Sequence, residues 1–112
     1  MPANKLENIE RHLIKVNRFL QDKFKTKETF ETYLRDHADI DKNGNISVEE
    51  MKMMINDTCG NELTSRRLSK KDLEGFLSSF KYNVHGATDI SSIAPLVFEK
   101  DANKLTLALN SR

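Results

Sequence analysis

The sequence is poor in several residue types, and each scarcity argues against a class of protein. Its single cysteine, Cys59, cannot form an internal disulfide, which argues against a disulfide-stabilised secreted domain. The longest apolar run, from Ile93 to Phe98, is too short to span a bilayer, and the charged start lacks the apolar segment of a secretory signal. Eighteen basic against seventeen acidic residues leave the chain near neutrality, without the basic bias that a nucleic-acid-binding protein usually shows. We therefore expect one cytoplasmic domain without a transmembrane segment or a nucleic-acid partner.

Motifs of catalysis are also missing from the sequence. It contains no glycine-rich phosphate loop and no nucleophile elbow. The adjacent Glu49 and Glu50 point to different faces of a helix, so they cannot form a catalytic pair. The histidines are scattered and make no zinc-binding spacing with Cys59. The sequence therefore predicts neither an enzyme nor a zinc site.

What the chain does contain is a run of alternating oxygen-bearing side chains between Asp39 and Glu50. Calcium takes six to eight oxygens at roughly 2.3–2.6 Å from a chain that wraps around it. Gly44 would supply the sharp turn that such wrapping needs, because a residue with a Cβ resists it. The candidate ligands are Asp39, Asp41, Asn43, Asn45 through its backbone carbonyl, Ser47 directly or through water, and Glu50 with two oxygens.

This run resembles the twelve-residue calcium loop of the EF-hand superfamily. The resemblance implies one bound Ca²⁺, with Mg²⁺ as a competitor, and a dissociation constant on the order of 10⁻⁷–10⁻⁵ M. It also implies that Ile46, at the eighth loop position, pairs with a partner loop in a short two-stranded bridge. A surface turn would equally favour Asp, Asn and Gly, but it does not predict Ile46 and Glu50 together.

Helical periodicity precedes the loop. Asn4 and Glu7 make a capping-box-like start, and apolar residues then recur at spacings of three and four: Leu6, Ile9, Leu13, Val16, Leu20 and Phe24. This N-terminal amphipathic helix has three explanations: an extra core helix packed on its own domain, a coiled coil, or a ligand for a partner's groove. We favour the first.

The helices next to the loop follow the EF-hand pattern with one departure. Thr26 is expected to cap the helix that enters the loop. In that helix the apolar stripe, with Phe30 and Tyr33, is displaced by one residue from the EF-hand pattern. In the exit helix we expect Met51, Met54 and Ile55 to be buried and Met53 to be exposed. Residues 57–61, which include Gly60, predict the stop of that helix and a linker.

A second helix–loop–helix follows. Ser69 and Asp72 form another capping-box-like start, and helical spacing continues through Leu73, Phe76, Leu77 and Phe80. A loop counted from Lys81 to Ser92 then places Gly86 and Thr88 where the first loop has Gly44 and Ile46.

The second loop has lost its ligands, because Lys81 and Ser92 replace the first aspartate and the final glutamate. We interpret it as a degenerate EF-hand in which Thr88 still bridges to Ile46; an ordinary helix–loop–helix is the alternative. Pro95 is expected in the first turn of the last helix. Lys104 to Leu109 could form a helical turn or a strand.

Together these features predict an all-α fold: an N-terminal helix (1–25), an EF-hand pair (26–100, with the calcium-binding hand at 26–58 and the degenerate hand at 69–100) and a tail (101–112). The resemblance implies a calcium sensor that regulates a helical segment of a protein target. The rival is a calcium-insensitive, light-chain-like structural subunit of a larger assembly. The sequence from Arg66 to Ser69 also matches a basophilic kinase site, although a helix cap explains Ser69. The oligomeric state stays open.

Overall fold

The computed structural model describes residues 2–110, with side-chain burial from residue 9 onward. This part of the chain is mostly helical, which agrees with the predicted all-α class. The elements in order are α1 (Pro2–Phe24), α2 (Lys27–Tyr33), a π-helical turn (Leu34–Ala38, the π turn), β1 (Asn45–Ser47), α3 (Val48–Thr64), α4 (Lys70–Ser78), β2 (Ala87–Asp89), α5 (Ile90–Val97) and α6 (Ala102–Asn110).

Helix α1 buries the apolar stripe that its periodicity predicts. Leu13, Val16 and Leu20 are fully buried, whereas the side chain of Leu6 lies outside the described residues. The helix already begins at Pro2, so the expected cap at Asn4 is wrong: Asn4 lies inside the first turns. A proline is tolerated at the first helical position because its missing N–H would have no helical partner there.

The helices assemble around one core. α1 packs most extensively against α4 and also contacts α2, α3, α5 and α6. α2 packs against α5 and α3 against α4, so each helix that precedes a loop lies beside the helix that follows the other loop. Met51 and Met54 are buried and Met53 is 51% exposed, as predicted. α1 therefore completes the core of its own domain.

The π turn explains the displaced stripe before the first loop. The Asp39 N–H donates to the carbonyl of Leu34, five residues back, at 2.8 Å. A π turn holds one residue more than an α-helical turn. This extra residue lets Phe30 and Leu34 stay buried with Ala38 even though their positions are shifted against the EF-hand pattern.

Helix α3 does not end where the sequence predicts. Its geometry becomes non-helical at Cys59 (φ −122°, ψ 18°), but helix resumes and runs to Thr64. The prediction of a stop and linker at 57–61 is therefore wrong, and Gly60 lies within the helix just after the kink. Cys59 is fully buried at this kink, and both parts of α3 contribute to the core, with Ile55 before the kink and Leu63 after it.

The two loops meet in a short antiparallel sheet of β1 and β2. Ile46 lies opposite Thr88, the partner expected from the sequence. Gly44 and Gly86 both adopt positive φ angles, +81° and +75°, which favour a residue without a Cβ. Pro95 lies in the second turn of α5 rather than in its first.

The segment that the sequence left undecided is a helix. α6 packs against α1 and buries Leu105 and Leu109. The Thr106 hydroxyl donates to the Glu10 carboxylate of α1 at 3.0 Å. The sequence suggested that the helix containing Pro95, α5, would be the last one, but α6 follows it.

Candidate metal centre

The first loop lies between the π turn and α3, and its path is set by two residues with positive φ. Gly44 makes the central turn, and Lys42 has a φ of 55°. The Lys42 Nζ donates to the carbonyls of Arg35 at 2.8 Å and Asp36 at 3.4 Å. Because carbonyls at a helix end lack helical partners, this lysine closes the C-terminal end of the π turn.

Asp39 organises the first half of the loop from a buried position, where only 4% of the residue is exposed. Its Oδ1 accepts from the Asn43 N–H at 3.2 Å, and its Oδ2 accepts from the Gly44 N–H at 2.8 Å. The Asn43 Oδ1 accepts from the Asn45 N–H at 3.0 Å. The side-chain oxygens of Asp39 and Asn43 thus hold the turn of the chain between residues 39 and 45.

Glu50 connects the two ends of the loop. Its Oε2 accepts from the Ile40 N–H and its Oε1 from the Ser47 N–H, both at 2.9 Å. The Ser47 Oγ in turn accepts from the Glu50 N–H at 3.1 Å, which completes a capping box at the start of α3. Movement of the Glu50 carboxylate would therefore change hydrogen bonds both at the start of the loop and at the start of α3.

The donor set fits a hard cation. All six predicted ligands offer oxygen, and within the described residues Asp39, Asp41 and Glu50 form no ion pair with a lysine or arginine. The three carboxylates do not meet at one point, and Asp41 is exposed. Among the described residues there is no group of three or more His, Cys, Asp or Glu side chains that could hold a metal ion. A cation here would use the amide, hydroxyl and peptide oxygens as well.

The second loop is also held by a side-chain oxygen that accepts backbone N–H groups, but this side chain stands at the third position of the loop and not at the first. The Asn83 Oδ1 accepts from the N–H groups of His85 and Ala87 at 2.9 and 3.1 Å. Asp89 caps α5, and hydrogen bonds from the Ser91 hydroxyl and amide hold the pKa of Asp89 below its ordinary value. Lys81 and Ser92 line an open cavity of about 610 Å³ between this loop and α6.

A polar network that the sequence reasoning missed joins α1 to α4 and α5. His12 Nδ1 lies 2.6 Å and Lys15 Nζ 3.3 Å from the carboxylate of Asp72, the residue that completes the capping box of α4. The amides of Asn17 and Gln21 donate to the carbonyls at the end of α5. Asn17 could have been noticed, because it stands between Leu13 and Leu20 on the apolar stripe.

Comparisons of the chain with models of protein families, with curated proteins and with solved structures found no match. Among the described helices none is both long enough and apolar enough to cross a membrane.

Proposed function

We propose that this chain is a calcium-binding EF-hand regulatory protein, with one Ca²⁺ in the loop Asp39–Glu50 and a helical segment of another protein as its target. The observation that carries the proposal is the position of Glu50, whose carboxylate bridges the loop start and the first turn of α3. A ligand in that position couples occupancy of the loop to the orientation of a helix.

Reciprocal backbone bonds between the loops support an EF-hand pair. The Val48 N–H donates to the Gly86 carbonyl at 3.2 Å, and the Ile90 N–H donates to the Gly44 carbonyl at 3.1 Å. Each glycine stands four residues before the donor of its own loop, so the two bonds are equivalent. This local two-fold relation is expected of paired hands and not of two unrelated turns.

The chain's own residues define what calcium binding would require. The ion would be held by Asp39, Asp41, Asn43, Asn45, Ser47 and Glu50. When bound, it would offset the negative charge of the three carboxylates. Glu50 would have to redirect the oxygens that accept from Ile40 and Ser47. Since Met51 and Met54 follow directly and are buried, this change would shift the packed face of α3 against the core.

Isothermal titration calorimetry with CaCl₂ and then MgCl₂ tests the proposal, together with proton–nitrogen NMR spectra at each endpoint. We expect one calcium site per chain and shifts in the amides of both loops and of α3. Absence of heat and of shifts up to millimolar calcium would refute calcium binding.

One observation favours a second candidate, the calcium-insensitive structural subunit. Both oxygens of Glu50 and both of Asp39 already accept backbone N–H groups, so the loop is closed by its own hydrogen bonds. If the chain is such a structural subunit, calcium would bind without displacing α3, and the changes in the NMR spectra would stay within residues 39–50.

A further inference from the structure

Helix α1 covers the surface on which a two-hand lobe would hold a target helix. It contacts α2, α3, α4 and α5, which are the four helices that flank the two loops. We infer that α1 is an internal, displaceable ligand of this surface, and that the external partner is a helix that reproduces the contacts of α1. The inference rests on the proposed function, because it takes this surface as the lobe's target-binding surface.

The apolar contacts of α1 define the first requirement for such a partner. Leu13, Val16 and Leu20 are fully buried, so the partner needs apolar residues at positions p, p+3 and p+7 of a helix. Phe24 extends this contact, since its ring lies 5.1 Å from that of Phe30 and 5.0 Å from that of Tyr33, measured between centroids.

Hydrogen bonds define the second requirement. The Asn17 Nδ2 donates to the Leu96 carbonyl at 3.2 Å, and the Gln21 Nε2 donates to the Val97 carbonyl at 2.7 Å. α5 ends at Val97, and the last carbonyls of a helix lack helical partners. A replacing helix must therefore carry side-chain donors at p+4 and p+8.

Charge defines the third requirement. His12 and Lys15 lie against the buried carboxylate of Asp72. Lys23 Nζ lies 3.5 Å from the carboxylate of Glu62 on α3. The partner is thus an amphipathic helix with basic or histidine residues at p−1 and p+2, because leaving Asp72 buried without a donor would disfavour the exchange.

The interface between α1 and the rest of the molecule contains unpaired polar groups, and it includes one tight contact that a substitution can disturb. The Oδ1 of Asn17 and the Oε2 of Glu62 are buried without a hydrogen-bond partner, so the α1 interface is imperfect. α1 also depends on a close approach at Gly75, where an added Cβ would collide with the Cβ of His12. One methyl group on α4 is therefore enough to loosen α1.

The test compares the 112-residue chain with its Gly75→Ala and Gly60→Ala variants. Both glycines lie in helices, but a Cβ at Gly60 meets no atom within 4 Å, which makes Gly60→Ala the matched control. The probe is a fluorescent synthetic peptide of residues 2–24. Because the apparent affinity scales with the fraction of chains whose surface is open, we expect Gly75→Ala to bind it about tenfold more tightly than the wild type, and Gly60→Ala to resemble the wild type.

A second pair of variants guards against misfolding of Gly75→Ala. Gln21→Ala removes one hydrogen bond to α5, while Arg18→Ala changes an exposed residue of the same helix. We expect hydrogen exchange of α1 amides to accelerate in Gln21→Ala alone, with α2 to α5 still protected. Equal peptide affinities, or loss of α1 protection only together with all other helices, would overturn the inference. Calcium titration of the same samples is a separate readout, so failure of calcium binding would not be confused with failure of α1 release.

Discussion

Two backbone N–H groups from opposite ends of the first loop converge on the carboxylate of Glu50, and no other side chain of that loop spans it in this way. Its neighbour Glu49 is exposed on another face of α3. The contrast assigns the proposed coupling role to Glu50 and not to Glu49, because consecutive helical residues point about 100° apart.

Glu50→Gln should weaken calcium binding by about tenfold or more, because it removes one charge and one of the two ligating oxygens. The fold should persist, since glutamine can also complete a capping box with Ser47. Calorimetry of Glu50→Gln beside the control Glu49→Gln measures the difference. Equal calcium affinities of the two variants would contradict the assignment of Glu50.

Gly44 is the residue whose backbone conformation most restricts the loop. Its φ of +81° is disfavoured for residues with a Cβ, although no side chain crowds the position. Gly44→Ala should therefore lower the free energy of unfolding by about 1–2 kcal/mol, as measured by urea denaturation. Gly60→Ala provides the control without positive φ, and similar losses in both variants would argue against backbone strain as the cause.

At the scale of elements, the π turn compensates for a one-residue offset between the first loop and the apolar residues of α2. Phe30 and Tyr33 are one residue too far from the loop for an α-helix to carry them onto the EF-hand positions. The extra residue between Leu34 and Ala38 absorbs that offset. Lys42, which donates to carbonyls of this turn, helps to hold it.

Deleting Asp36 should convert the π turn into an α-helical turn and bring Phe30, Tyr33 and Leu34 to the EF-hand spacing. We expect this variant to keep its cooperative thermal unfolding by circular dichroism. Deleting Asn56 from α3 is the control, because it rotates the following residues by about 100° and turns buried side chains to solvent. Comparable unfolding of both deletion variants would show that the π turn is not a removable insertion.

The junction of α1 and α4 depends on Asp72. Burial alone would raise the pKa of Asp72, but the hydrogen bonds that it accepts from Ser69 and from the two α1 side chains hold that pKa below its ordinary value. A carboxyl group with a lowered pKa stabilises the folded state above its unfolded pKa, and this contribution fades as the pH falls through the folded pKa.

Asp72→Asn should therefore lower the free energy of unfolding at pH 7 by about 1–2 kcal/mol, since it weakens the cap and the pairs with His12 and Lys15. The difference from the wild type should shrink toward pH 3. Urea denaturation at both pH values, with the exposed Glu74→Gln as control, checks this. A difference that is independent of pH would mean that the charge of Asp72 is not what stabilises the junction.

At the scale of the whole molecule, α1 packs against the helices that flank both loops, and α6 packs against α1. The radius of gyration is 13.2 Å, close to the roughly 13 Å expected for a compact chain of this length. α1 and α6 contact each other, and each contributes buried apolar side chains to one core. A ligand of the first loop would thus stabilise the whole unit and not one helix–loop–helix alone.

Calcium at about 100 times its dissociation constant should stabilise the native state by about 2.7 kcal/mol. For a domain of this size the melting temperature should rise by roughly 10 °C. Differential scanning calorimetry in calcium and in chelator measures the shift, with Glu50→Gln as the variant that should lose most of it. A rise of the same size in that variant would point to calcium bound elsewhere.

Much of the local structure could be predicted from the sequence because it depends on neighbouring residues. The caps at Thr26 and Ser69 and the burial of Met51 and Met54 follow from spacing and side-chain chemistry. The pairing of Ile46 with Thr88 joins distant residues, and it was expected only from the resemblance to the EF-hand loop. The predicted ligands lie in one loop for the same reason, and calcium binding by them stays a prediction.

The remaining features depend on contacts between residues distant in the chain. Gly60 and its neighbours carry a local stop signal, yet α3 continues because its two parts pack against the core. α6 is helical because Leu105 and Leu109 find a buried face beside α1, which a tail read alone does not reveal. The sequence by itself determined the caps at Thr26 and Ser69, the glycine turns of the two loops and the apolar stripe of α1, since these depend on residues close together in the chain. Only the tertiary structure decided where α1 docks, because Gly75, Asp72 and the end of α5 are brought together by the fold.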